Sequence, residues 1–76
     1  MKEVLETIAR ALVDTPDEVN VTEIEHEDGT LTLELRVASG DMGKVIGKQG
    51  RIAKAIRTVV KAAASTENKK VSVDIV

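Results

Sequence analysis

The chain has no cysteine and no phenylalanine, tyrosine or tryptophan, and it carries one histidine and one proline. Without cysteine, disulfides, thiolate metal sites and a cysteine nucleophile are all excluded. Without aromatic rings, a nucleic-acid base has nothing to stack on. Any recognition of bases must then rest on backbone contacts, aliphatic packing and hydrogen bonds to base edges. Long apolar runs are absent too, and residues 1–13 alternate charged with apolar side chains. Neither a signal peptide nor a transmembrane span is expected, and the expected location is the cytoplasm. Seventy-six residues leave room for one domain, 1–76, with a modest core.

What is present is a strong asymmetry of charge. The net charge is only −2, but residues 1–35 hold two basic and ten acidic side chains, a balance of −8. Residues 36–61 hold seven basic side chains (Arg36, Lys44, Lys48, Arg51, Lys54, Arg57, Lys61) against Asp41 alone, a balance of +6. A local positive field of this kind can collect a polyanion while the rest of the surface stays acidic.

The basic half contains Gly43-Lys44-Val45-Ile46-Gly47-Lys48-Gln49-Gly50-Arg51-Ile52. Residues 42–46 read as a short apolar helix and residues 51–64 as a long amphipathic one, with Gly47-Lys48-Gln49-Gly50 as a bare loop between them. Two glycines three apart permit a tight turn and remove the Cβ atoms that would hold a ligand off. Amides of the loop and of the next helix's first turn then suit a phosphate, and Lys48, Arg51 and Lys54 crowd positive charge there. Other phosphate motifs do not fit. A P-loop needs four residues between its first glycine and the Gly-Lys pair, followed by Ser or Thr. Here three residues intervene and Gln49 follows. A dinucleotide fingerprint needs Gly-x-Gly directly after a strand, and the Gly43/Gly47 pair lies in no membrane helix.

Around this stretch the pattern is regular. In residues 2–13, Val4, Leu5, Ile8, Ala9, Leu12 and Val13 follow helical spacing, and Thr15-Pro16 ends the helix. Residues 19–26 and 30–38 read as a hairpin about Asp28-Gly29. A two-residue turn pairs Ile24 with Leu33 and misplaces Val19 and Val21. A three-residue loop pairs Val21 with Leu35 and strands Ile24, and a bulge near Thr22-Glu23 reconciles both. Ser39-Gly40-Asp41 reads as a loop and cap. On the long helix, Ile52, Ala55, Ile56, Val59, Val60 and Ala63 share one broad face, with Arg51, Lys54, Arg57 and Lys61 opposite. Residues 65–68 break the helix, and Val71, Val73 and Ile75 alternate with Ser72 and Asp74 as a last strand. The order helix, strand, strand, helix, helix, strand predicts a two-layer α+β domain, three strands covered on one face by helices.

Val-Ile-Gly-Lys-Gln-Gly-x-Ile between two helical segments, in that order of elements, resembles the KH domain family in its type II, prokaryotic arrangement. The resemblance covers essentially the whole chain. It implies binding of single-stranded RNA, about four nucleotides per domain, by Gly47, Lys48, Gln49 and Gly50. Val45, Ile46 and Ile52 would form the apolar floor, and Gly43, Lys44, Arg51 and Lys54 would complete the site. Small single-domain proteins of this kind act as RNA chaperones linked to cell-wall homeostasis and cell length, and they pair with a second KH protein. A homodimer or such a heterodimer is the implied working form. The alternative is an interaction subunit whose RNA contact is secondary.

Other chemistry has weak signals. His26 stands alone beside the hairpin turn. Glu23, Glu25, Glu27 and Asp28 lack calcium-loop spacing and read as a solvated hairpin. Ser39, Ser65 and Ser72 have no visible base. No enzyme activity, cofactor, metal, membrane contact or small-molecule substrate is expected. Arg57 and Lys61 fit either a solvated face or a continuation of the basic patch.

Overall fold

The computed structural model describes all residues, 1–76. Helix α1 (Lys2–Leu12) buries Leu5 and Ala9, while Glu6 and Arg10 pair across one turn at 3.4 Å on its outer side. The helix ends at Leu12 and Val13 is already extended; Thr15-Pro16 then leads into a short 3-10 turn and keeps the helix from resuming.

Strands β1 (Asn20–Glu25) and β2 (Leu31–Arg36) form an antiparallel hairpin, and β3 (Val71–Ile75) joins β2 in parallel, giving the order β1-β2-β3. The hairpin adopts the three-residue loop. Val21 stands opposite Leu35, Glu23 opposite Leu33 and Ile24 opposite Thr32, and the pairing is unbroken, with no bulge. Gly29, at φ 88°, supplies the left-handed residue that such a loop needs. The Asp28 carboxylate accepts from the Thr30 amide at 3.0 Å and its hydroxyl at 2.7 Å. The cost falls on Ile24, which stays on the uncovered face, 37% exposed.

Leu31, Leu33, Leu35, Val21, Val71 and Val73 all point to the helices and are buried. The opposite face carries Thr22, Thr32, Glu34, Ser72 and Asp74. There His26 Nε2 lies 2.8 Å from Thr32 Oγ1, which in turn lies 3.1 Å from Ser72 Oγ. A two-layer α+β arrangement follows, as the type II KH order requires.

After a 3-10 turn at Ser39–Asp41 come α2 (Met42–Ile46) and α3 (Arg51–Ser65). The face α3 turns to the sheet is only partly the one its periodicity predicts: Ile56 and Val60 are buried as expected and Ile52 packs against the core. Ala53, Ile56, Val60 and Ala64 are buried, whereas Ala55 is exposed and Val59 is 50% exposed. The apolar arc of α3 is wider than the sheet can cover. The edge carrying Ala53 and Ala64 is the side that packs, where small side chains let the helix approach the strands closely.

Candidate nucleic-acid interface

The site begins with how α2 is anchored. Val45 is fully buried and pins the helix to the core, so it supports the loop from beneath and has no surface to offer a ligand. Asp41 immediately precedes α2, yet makes no side-chain cap there. Its carboxylate, 4% exposed, instead accepts from the Asp14 amide at 3.3 Å and the Thr15 amide at 3.0 Å. Lys44 closes the clasp, its Nζ 3.1 Å from Asp14 and 3.5 Å from Asp41. Burial pushes the Asp41 carboxyl up, but the two amides and the Lys44 ammonium outweigh it and hold the group below the usual carboxylate range. Lys44 is held above its ordinary value, first by its bond to Asp14. The sequence-expected Lys44 is thus committed to tying the end of α1 to the start of α2.

Gly47 ends α2. Its amide still donates to Gly43 O at 2.8 Å, but its own φ of 74° and ψ of 176° throw the chain out of the helix. Only glycine adopts that conformation readily. A Cβ on Gly47 would lie 2.5 Å from Ile52 Cγ1, so the backbone rests directly on the Ile52 side chain. Gln49 (φ 59°) and Gly50 (φ 74°) are both left-handed, and the Gly50 amide donates back to Gly47 O at 3.2 Å. Gly43 by contrast is helical and has open space beside it, so α2 does not need glycine there. Ile46, 37% exposed, and the half-buried Ile52 leave a small apolar surface at the loop.

The N-terminus of α3 opens directly behind the loop. The Arg51 amide donates to Lys48 O, and no side chain caps the rest of the first turn. Lys48, Arg51 and Lys54 are exposed, and none of them forms an ion pair. Positive partial charge from the helix end and three free cations therefore share one edge. None of the four hollows in the surface includes a loop residue, so the loop is a rim rather than a cavity. A rim accommodates a chain passing across it better than an enclosed small molecule.

Residues 2–75 match the family described as KhpA/KhpB, KH domain. The chain belongs to that family. Among KhpA/KhpB relatives, the RNA-binding protein KhpA of Clostridium acetobutylicum is 67% identical over 76 residues, covering all of both chains. Its namesake in Clostridium perfringens is 64% identical with the same full coverage. That of Chlamydia trachomatis is 51% identical over 75 residues, 99% of this chain and 95% of that one. Among solved structures, the fold is similar to part of Era in its complex with MgGDPNP and nucleotides 1506–1542 of 16S ribosomal RNA. The TM-score is 0.60 at 18% identity, over 97% of this chain and 28% of that one, which is a likeness of fold alone.

Two features of this KhpA/KhpB-family chain escaped the sequence. The Asp41 clasp joins residues 26 and 27 positions apart, a distance no local motif spans. Arg57 is not merely solvated: its Nε donates to Val73 O at 3.1 Å, on the unpaired edge of β3. An arginine placed on the helix face beside an edge strand is the one signal that hinted at it.

Proposed function

We propose that this protein binds single-stranded RNA, holding about four nucleotides of its backbone across the Gly47-Lys48-Gln49-Gly50 loop. The observation that carries the reading is the loop itself. A glycine seated on Ile52 brings bare backbone to the surface, beside an uncapped helix N-terminus and three unpaired cations. The names of the KhpA relatives support the same ligand. Lys48, Gln49, Arg51 and Lys54 contact phosphates and sugars in this scheme, while Gly43, Ile46, Gly47, Gly50 and Ile52 shape the surface. Val45 and Lys44 act from behind, by fixing α2. Base recognition is permissive, because no aromatic side chain stacks.

The family resemblance extends the proposal to a non-catalytic, cytoplasmic RNA chaperone or post-transcriptional regulator tied to cell-wall homeostasis and cell length. No helix is long and apolar enough to cross a membrane.

The test replaces Lys48 and Gln49 together with aspartate. Both are exposed, so stability should move by no more than about 0.5 kcal/mol. Gln49 is left-handed, a conformation Asp tolerates. One cation is exchanged for two anions beside the bound phosphate, so affinity for single-stranded RNA should collapse. Unchanged affinity in a folded variant would remove the loop from the interface.

A second reading, association as the main task, is favoured by one apolar patch. Val4 and Ile8 of α1 and Val59 of α3, with Thr7 and Glu3 at its border, line an open hollow of about 400 Å³. A second KH protein, either another copy or a KhpB-type partner, would cover it and raise avidity for RNA by roughly 10² or more. Sedimentation at micromolar concentration, alone and with such a partner, decides it: a monomer in both removes this reading.

A further inference from the structure

Helix α2 is five residues long and buries one side chain, Val45. A helix this short does not hold itself in place, so its orientation comes from what it touches. One apolar pin sets where α2 sits and leaves it free to tilt about that point. The loop inherits any tilt, because Gly47 follows Ile46 directly and its amide closes the last turn on Gly43 O at 2.8 Å. From Asp41 to Gly47 the helix rises about 9 Å, so a tilt of about 10° moves the loop by about 1.5 Å.

The second fixed point is Asp41 and what gathers on it. Its backbone amide donates to Ala38 O at 2.8 Å, and its carboxylate takes the Asp14 and Thr15 amides at 3.3 and 3.0 Å. Those amides belong to the stretch that leaves α1, next to Val13 of the core. No side chain caps α2, so the carboxylate at its start is turned toward another element instead. Lys44, one turn further on, bridges Asp41 at 3.5 Å to Asp14 at 3.1 Å. Direct contact of this cluster with RNA is opposed by its charge. Two carboxylates outweigh one ammonium, and that ammonium is already spent on them.

We propose that Asp41, Asp14 and Lys44 are positioning residues for RNA binding. They lock the tilt of α2 against the end of α1, so that the loop presents its backbone to a phosphate at one fixed angle. The proposal rests on the RNA-binding reading above, and it concerns the aim of the loop rather than its contacts. Electrostatics and alignment then predict opposite signs. Removing an anion one short helix away from a basic edge should strengthen the binding of a polyanion. Loosening the aim of the loop should weaken it.

The experiment follows association and dissociation of a labelled single-stranded RNA of about ten nucleotides by stopped flow, at several salt concentrations and well below each protein's melting temperature. The proteins are the parent, Asp41→Asn, Lys44→Gln, Lys44→Arg, and the loop variant with aspartates at 48 and 49. Asp41→Asn should bind at least about fivefold more weakly, the worth of one misaligned hydrogen bond to a phosphate. The loss should appear as faster dissociation, with association at least as fast as the parent's, since charge acts before encounter and alignment after it. A change that merely unfolded part of the sample would lower the active fraction and leave dissociation of bound RNA untouched. Lys44→Gln should weaken binding in the same way with the parental salt slope, and Lys44→Arg, which keeps both ion pairs, should restore the parental rates. Parental or tighter binding by Asp41→Asn overturns the proposal, as does a loss confined to the active fraction. A salt slope lowered by about 0.7 in Lys44→Gln overturns it as well, since Lys44 would then contact a phosphate itself. If Asp41→Asn does not fold, the Lys44 variants decide, because that side chain is 42% exposed and its replacement leaves the core intact. Parental binding by Lys44→Gln then overturns the proposal. Loss of RNA by the loop variant, with parental rates in the others, removes this proposal alone. Full binding by the loop variant removes the loop reading, and the proposal with it.

Discussion

Replacing Gly43, Gly47 and Gly50 one at a time by alanine should give three different answers from one chemical change. At Gly47 the backbone (φ 74°, ψ 176°) lies in a region other residues enter at a cost of order 1–3 kcal/mol. The new methyl would also sit 2.5 Å from Ile52 Cγ1 and 2.9 Å from its Cβ. Neither atom is the loose end of a side chain, so the crowding resembles core overpacking, about 1–3 kcal/mol. Reduced freedom of the unfolded chain offsets about 0.4–1 kcal/mol. The net loss is about 2–5 kcal/mol, against a total stability of about 4–11 kcal/mol for a chain this long. Gly50 shares the positive φ of 74° but has nothing within 4 Å of the added carbon. Its penalty is the left-handed conformation alone, about 1–2 kcal/mol before the same offset. Gly43 is helical and open, so alanine should stabilise there by about 0.5–1 kcal/mol. Urea unfolding of the three variants at low temperature measures the order. If Gly47→Ala fell within about 1 kcal/mol of Gly50→Ala, the contact with Ile52 would not be what fixes the loop.

Three further outcomes are expected. The logarithm of RNA affinity against that of salt should slope by roughly −1.5 to −3 for two to four neutralised phosphates, with double-stranded RNA bound more weakly; a flat line would remove the basic edge from the interface. Asp41 titrates below its unfolded value, so its stabilisation is complete above the ordinary aspartate range and is lost as pH falls through the lower folded value. Asp41→Asn should therefore be less stable at neutral pH and show a shallower acid transition by circular dichroism, and an unchanged acid limb would contradict the clasp. Arg57→Ala should cost about 1 kcal/mol through the lost bond to Val73 O, and a melting temperature equal to the parent's would mean that bond contributes nothing.

The fold was legible because each element announces itself locally. Thr15-Pro16 keeps α1 from resuming, alternation marks β2 and β3, and the glycines bound the loop between α2 and α3. What sequence left open was relational. Both hairpin registers satisfy some apolar residues, and the choice went to the loop in which Gly29 takes the left-handed position while Ile24 is given up to the surface. The position of the loop glycines was readable as well, but their inequality was not. Only the placement of Ile52 beneath Gly47 distinguishes it from Gly50. Lys44 reads as one more cation beside the loop, and only the fold brings Asp14, distant in sequence, against it together with the neighbouring Asp41.

The phase of α3 shows the same limit and permits a sharper test. Periodicity places Val59 and Val60 on one apolar arc, as adjacent members of a single face. Packing separates them: Val60 is fully buried among the core residues, and Val59 is half exposed beside Val4 and Ile8. Aspartate at Val60 would put an unpaired charge where no counter-charge or water reaches it, a loss beyond about 4–5 kcal/mol. With a total stability of about 4–11 kcal/mol, much of the population should unfold. Aspartate at Val59 meets solvent and should shift stability by no more than about 0.5 kcal/mol. Its effect should appear instead in sedimentation, where a charge in the apolar patch opposes association. Paired melting curves and sedimentation profiles of the two variants read this out. Equal destabilisation by both would mean that α3 packs on the broad arc that periodicity suggested, and that the exposed patch of α1 and α3 does not exist in solution.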